Sequence, residues 1–369
     1  MAEDVRALVA LPPFASSAMD GWAIAGDGPW RVVGGVLAGQ ASEQLLADGE
    51  AVAIATGAAV PDGAQAILRR EHGTAASGWL QAAASAGSPP PGTDVRPAGQ
   101  EAGIDELLLA AGTRLTPAAI GLLAAAGHDE VEVRRRPRVA LLVLGDELLS
   151  SGLPGVGRIR DVLGPQLPMW IERAGALTTR QLRVPDTAAS LAVALAEMAS
   201  SEDVDVVVTT GSTAAGPADH LHAVLHAAGA EVPVDGVAVR PGHPMLLALL
   251  PPARAEATGA RTPTPLVGLP GNPLGALAGL VTLAIPLLQA VGGQVPDEPR
   301  HIPAALDIRG RGRHTLIPGR PSPHDGRFAP TGWDSPHMLR GVAAATGFGV
   351  VPEQGVRQGE PLQWLPLPQ

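Results

Sequence analysis

Residues 138–148 read Arg138-Val139-Ala140-Leu141-Leu142-Val143-Leu144-Gly145-Asp146-Glu147-Leu148. The apolar run shows no alternation and breaks at a glycine followed by two acids. A short continuous apolar run is the mark of a strand buried on both faces. A polar loop at its carboxyl end is where open parallel sheets bind ligands. The pattern recurs twice. Residues 204–210 form a second apolar run and end in Gly211-Ser212-Thr213-Ala214-Ala215-Gly216-Pro217-Ala218-Asp219. Residues 264–268 form a third and end in Leu269-Pro270-Gly271-Asn272-Pro273. Residues 187–199, 218–228 and 274–290 space their apolar side chains as helices do. Strands alternating with helices predict a three-layer α/β domain with a mostly parallel sheet, and topology predicts that the three loops converge on one crevice.

The loops carry coherent chemistry. Gly211 and Gly216 allow close backbone approach, and the helix N-terminus that follows offers N–H donors to an anion such as phosphate. Asp146, Glu147 and Asp219 supply hard oxygen ligands that suit Mg²⁺ held against that phosphate. Each loop also reads as an ordinary turn, with Asp219 as a first-turn acid complementing the helix dipole.

Working outward, Arg134-Arg135-Arg136-Pro137-Arg138 reads as a solvated inter-domain linker rather than a binding tail. Upstream, residues 115–127 form a helix behind Thr116-Pro117, an N-cap followed by proline at the first helical position. Residues 12–100 are dense in Gly, Pro and Ser between short apolar runs such as 30–36 and 51–55, which predicts a small β-rich domain. Residues 297–369 repeat that texture and predict a second one.

Composition narrows the chemistry. Over 369 residues there is no Cys, which excludes disulfides, cysteine nucleophiles and iron–sulfur ligation. All 26 basic residues are arginine, so Schiff-base lysines are excluded too, and Asn272 is the sole asparagine. A net charge of -10 argues against general nucleic-acid binding, which needs a basic face. No run of about 18 residues is free of Gly, Pro and charge, and Met1-Ala2-Glu3-Asp4 is acidic where a secretory leader is basic. The expectation is a cytoplasmic protein without a membrane span. His222 and His226, four apart on a helix, read as a solvated face more readily than as a metal pair. No Gly-x-Ser-x-Gly nucleophile elbow is present.

The ordered set Pro12-Pro13-Phe14, Ser17-Ala18-Met19-Asp20-Gly21-Trp22-Ala23, Thr56-Gly57-Ala58, Gly145-Asp146-Glu147-Leu148 and Leu269-Pro270-Gly271-Asn272-Pro273 resembles the molybdopterin molybdenumtransferase family, which includes bacterial MoeA proteins and the gephyrin E domain. Arg114-Leu115-Thr116-Pro117 and Arg240-Pro241-Gly242-His243-Pro244 fall where that family has similar segments. The resemblance implies a linker and dimerisation region with a helix (1–13 and 98–136), a small β-rich domain (14–97), an α/β molybdopterin-binding domain (137–295) and a C-terminal β domain (296–369). It further implies a homodimer whose pocket joins the α/β domain of one subunit to the small β domain of the other. The implied reaction inserts molybdate into adenylylated molybdopterin, with Mg²⁺-dependent release of AMP, in molybdenum cofactor biosynthesis.

Carried over residue by residue, the resemblance assigns Glu147, Asp219, Arg240 and His243 to catalysis, with Asp146, Glu147 and Asp219 on the metal. Substrate contacts fall to Asp20, Thr56, Gly145, Asp146, Gly211, Ser212, Gly216, Pro270, Gly271, Asn272, Pro273, Arg313 and Ser335. Asp20 also reads as a turn residue before glycine, and Asp186 reads as a helix N-cap in preference to a family acid. Several positions depart from the family. Arg240 and His243 replace lysines, Gly275 replaces a serine, Pro318 replaces an arginine, and Ser212 replaces a glycine. Asp161-Val162-Leu163 stands for Asp-Ser-Asn, and Gln65 for an acid. Two functions follow: an active transferase, or a paralogue that binds molybdopterin or nucleotide as carrier or scaffold.

Overall fold

The computed structural model describes residues 1–40, 45–214, 219–252, 262–294 and 298–368. They fall into two units, Met1–Val133 and Arg134–Gln369. In the second, β1 (Arg138–Leu144) leads through α1 (Leu167–Arg173) to β2 (Leu177–Val184), then α2 (Ala188–Ser200) and β3 (Val206–Thr210). After α3 (Leu221–Ala227) come β4 (Glu231–Asp235), β5 (Leu246–Leu250), β6 (Thr264–Leu269) and the long helical segment α4 (Pro273–Val291). The sheet order is β2-β1-β3-β6-β5-β4. The first four strands are parallel, and at one edge β5 pairs antiparallel with both β6 and β4.

The unbroken apolar run of β1 is explained by two covered faces. Val139, Leu141 and Val143 pack with Leu167 and Ile171 of α1 and Leu274 and Leu277 of α4. Ala140, Leu142 and Leu144 pack with Leu191, Leu195 and Met198 of α2 and Leu221 and Leu225 of α3. Full burial of each such leucine contributes about 2 kcal/mol. The strands that sequence reading missed are at or near edges: β2, Leu-Thr-Thr-Arg-Gln-Leu-Arg-Val, is mostly polar, and β4 carries a proline.

α4 changes pitch in the middle. Residues Leu280–Ala284 form a π segment just before Pro286, whose ring cannot sit in an unbroken α-helix. The segment has a mean hydropathy of 2.0 and the length of a membrane span, but 56% of its apolar window is buried within the protein, as expected of a core helix.

Beyond α4 lies a sheet of Arg300–Pro303, His314–Pro321, Gly347–Val351 and Pro361–Pro366, with Phe328–Pro330 beside it. It is not set apart from the α/β region. Val239–Arg240 pairs with its His314 and Thr315, and Leu316, Phe348 and Leu367 share one core with α1 and α4.

The Arg-rich run is tied down rather than freely solvated. Arg135 and Arg138 both donate to Asp205, and Arg136 donates to the carbonyls of Glu172 (3.2 Å) and Ala176 (2.7 Å). Burial opposes ionisation of Asp205, but the hydrogen bonds from Arg135 and Arg138 outweigh it and hold the carboxyl well below the usual range.

In the first unit, six strands are ordered Ala66–Arg69, Gly21–Ile24, Glu50–Ile54, Trp30–Val36, Trp79–Ala82 and Gly73–Ala76. Helix Pro117–Ala125 starts at Thr116, whose hydroxyl accepts from the Ala119 N–H at 3.1 Å. The two ends of this unit meet, with Val5–Arg6 pairing to Leu107–Leu109 and Leu11 bridging Ala102.

Candidate functional site

The chain leaves β1 toward β2 on one side and crosses back to β3 on the other, so strand order reverses between β1 and β3. At their carboxyl ends lies a crevice of 610 Å³. It is lined by Gly145 and Glu147 after β1, by Thr210, Gly211, Ser212 and Asp219 after β3, and by Pro270, Gly271, Asn272 and Pro273 after β6. The three loops do converge. The Gly211 N–H donates to the Leu269 carbonyl at 2.8 Å, and a Cβ on Gly271 would stand 3.6 Å from the Gly211 Cα. Residues 215–218, Gly216 among them, lie outside the described residues.

Two acids exchange the parts expected of them. Thr187 is the N-cap of α2, accepting from the Ser190 N–H at 3.2 Å, which leaves Asp186 to line the crevice. Asp146 is not among the lining residues; its Oδ1 accepts from the Asp186 N–H at 3.3 Å and so steadies that residue. Burial lifts the Asp186 carboxyl above its ordinary value; His220 opposes the shift, and the charges of Asp146, Glu147 and Asp219 add to it. Glu147, Asp186 and Asp219 are thus hard-oxygen donors close enough to feel one another. Among the described residues no three His, Asp or Glu side chains form a ready-made metal site.

Ser212 sits in the left-handed region at φ +58, where a non-glycine residue is uncommon. Its hydroxyl accepts from the His220 N–H at 2.6 Å, drawing together the two ends of the Gly-rich loop. The side chain that replaces a glycine here has acquired a structural bond. His220 is the N-cap residue of α3, so Asp219 precedes the helix instead of lying in its first turn.

A second crevice, of 310 Å³, adjoins the first; Pro244, Pro270 and Asn272 line both. It gathers Arg240, His243, Gly275 and Arg313 from segments far apart in sequence. The turn that presents Arg240 and His243 requires glycine at 242: φ is +103, and a Cβ would meet the Met245 Cε at 2.8 Å and the Gly275 carbonyl oxygen at 3.1 Å. His243 Nδ1 lies 2.7 Å from the Val237 carbonyl. Asn272 is the N-cap residue of α4 without a side-chain capping bond, so its amide is not spent on the helix. Ser335 does not line either crevice; its neighbours Pro336 and His337 do, one in each. Pro318 is buried within strand His314–Pro321 and presents no cation.

Sequence reading missed Arg160, His337 and Leu339 in the first crevice, which Asp161 also lines. Asp161 accepts from the Leu163 and Gly164 N–H groups, and Arg160 donates to the carbonyls of Gly152 and Ser150. In the first unit, Asp20 and Thr56 come together: Asp20 Oδ1 accepts from the Thr56 N–H at 2.7 Å and its hydroxyl at 2.8 Å. These bonds, backbone first, with Arg70 adding, hold the exposed Asp20 carboxyl below its usual value. His222 is engaged by Asp235 at 2.7 Å, not by His226.

Fold and site together define the class: an α/β protein with a switch-point crevice that is acidic and Gly-rich, abutting a smaller cationic one. Residues 1–127 match the family model for the MoeA N-terminal region (domain I and II), and residues 140–290 that for a probable molybdopterin binding domain. The molybdopterin molybdenumtransferase of Synechococcus elongatus is 32% identical over 84% of this chain and 76% of its own length. Molybdopterin molybdenumtransferase 2 of Mycobacterium tuberculosis is 31% identical over 96% and 88%. A crystal structure of the molybdopterin biosynthesis MoeA protein from Pyrococcus horikoshii superposes with a TM-score of 0.77 at 21% identity, covering 99% of this chain and 90% of that one. The chain belongs to the molybdopterin molybdenumtransferase family.

Proposed function

We propose that this transferase of molybdenum cofactor biosynthesis inserts molybdate into adenylylated molybdopterin and releases AMP. The observation that carries the reading is the junction at Asn272 of an acidic crevice and a cationic one, each suited to one substrate. The Gly211–Ser212 loop and the backbone of Gly271 receive the pyrophosphate-bearing ligand, and Arg240 and Arg313 draw in molybdate. Asn272, lining both, donates to either. One or two of the carboxylates of Glu147, Asp186 and Asp219, together with substrate phosphate, would hold Mg²⁺, which would supply charge neutralisation for cleavage of the anhydride. Asp146 steadies Asp186, and Ser212 fixes the loop. The working form is a cytoplasmic homodimer.

A second reading, a carrier that binds without turnover, is favoured by one observation. Among the described residues lining it, the cationic crevice has two permanent charges, Arg240 and Arg313, and Gly275 brings it no hydroxyl. Complementation of a strain lacking this step separates the readings. Rescue by the wild-type chain, lost on Asp219→Ala, supports the transferase; absence of rescue by a well-expressed chain that still binds adenylylated molybdopterin supports the carrier.

A further inference from the structure

His243 stands where only one of its ring nitrogens can face a ligand. A carbonyl oxygen is solely an acceptor, so the 2.7 Å contact between Nδ1 and the Val237 carbonyl places a proton on Nδ1. The ring is exposed, with its Cε1 edge beside Gly236, and the Nδ1 bond is what fixes its orientation. With Nδ1 committed, the neutral imidazole carries a lone pair on Nε2. In that form it accepts a hydrogen bond and repels a bare oxyanion oxygen; only the imidazolium donates.

We propose that His243 makes the cationic crevice read the protonation state of its tetrahedral oxyanion: a fully deprotonated dianion binds with uptake of one proton by His243 Nε2, whereas a hydrogen-oxyanion binds without it. The inference rests on the reading of this crevice as the oxyanion site. The proton balance is simple. Molybdate near neutrality has no proton to give, so Nε2 takes one from solvent, keeps it, and donates a hydrogen bond to the anion. Inorganic phosphate arrives with an O–H that donates to the neutral Nε2. Arg240 and Arg313 supply charge to both anions and do not distinguish them.

The charged and titratable groups on the surrounding elements are few. Arg240 is on the same turn. Arg313 and His314 lie on the segment paired with Val239–Arg240. Asp235, one residue before Gly236, is paired with His222, and His337 belongs to the loop beside Pro336 in the neighbouring crevice. Among the described residues lining the cationic crevice itself, none is an acid.

The test is calorimetric titration of the full chain at pH 8 with sodium molybdate and, separately, inorganic phosphate, in two buffers of different ionisation enthalpy. Molybdate is expected to take up close to one proton per site and phosphate close to none. In His243→Gln, which lacks a titrating group, and in His243→Arg, which is always charged, molybdate uptake falls to near zero, while His243→Arg binds molybdate at pH 8 more tightly than wild type by about tenfold. Buffer-independent molybdate heats in the wild type, or uptake that persists in His243→Gln, overturn the proposal while leaving the oxyanion site standing. Binding of neither anion, at pH 6 or at pH 8, overturns both.

Discussion

The two crevices that meet at Asn272 are built by opposite means. The acidic one is assembled by topology: the reversal of strand order between β1 and β3 brings three loops together, and backbone bonds such as Gly211 to Leu269 hold them. Ser212, at a left-handed backbone position, adds a side-chain bond from the His220 N–H. The cationic crevice is assembled by side chains on one tight turn, with Arg313 arriving from the C-terminal sheet. There a substitution changes the chemistry directly, whereas a crevice held by backbone bonds keeps its shape when one lining side chain changes.

That contrast breaks most visibly with Asp219→Asn. Removing a carboxylate from the acidic crevice is expected to lower AMP release about 100-fold or more, with molybdate affinity in the other crevice unchanged; a parallel loss of molybdate binding would dissolve the distinction between them. Arg240→Ala should do the reverse. Losing one charged hydrogen-bond donor weakens molybdate binding about 10- to 100-fold, while titration with AMP gives the wild-type constant.

A control lies at the opposite end of the sheet. Asp205→Ala frees Arg135 and Arg138 and is expected to cost about 2 kcal/mol in denaturant unfolding at pH 7, with both ligand affinities intact. Because the Asp205 carboxyl titrates below its unfolded value, its stabilisation is present above the ordinary aspartate range and is lost as pH falls through and below it. Wild type and variant should therefore converge in strongly acidic solution. The smallest effect is expected of Gly275→Ser. A Cβ there meets nothing closer than 3.5 Å, so the hydroxyl enters the cationic crevice without disturbing the turn, and molybdate affinity rises by about three- to tenfold. An unfolded or weaker-binding protein would show that the turn, and not the missing donor, limits this crevice.

Much of this is legible along the chain. The run Arg138–Leu144 announces a doubly covered strand because both of its faces are buried, and Thr116-Pro117 announces a helix start because the hydroxyl cap and the proline serve the same turn. The edge strands escape, since β2, Leu-Thr-Thr-Arg-Gln-Leu-Arg-Val, is mostly polar and looks like a loop when its pairing with β1 is unknown. Asp186 escapes for a sharper reason. Pro-Asp-Thr offers two candidate caps, and only the backbone shows that Thr187 takes the role and leaves the acid to the crevice. His337 and Leu339 lie far along the chain from the loops they join, and no local pattern connects them. The arginine run reads as solvated because its partner, Asp205, lies 67 residues or more away.

The central claim, that the two crevices work on two substrates of one reaction, is tested most directly by quenched-flow measurement of AMP released from adenylylated molybdopterin, with molybdate and Mg²⁺ supplied together and each omitted in turn. The account predicts prompt release with both present, a large loss without Mg²⁺, and formation of the molybdenum-bearing product only when molybdate is added. Adenylylated molybdopterin that binds and is never cleaved under any of these conditions would contradict it.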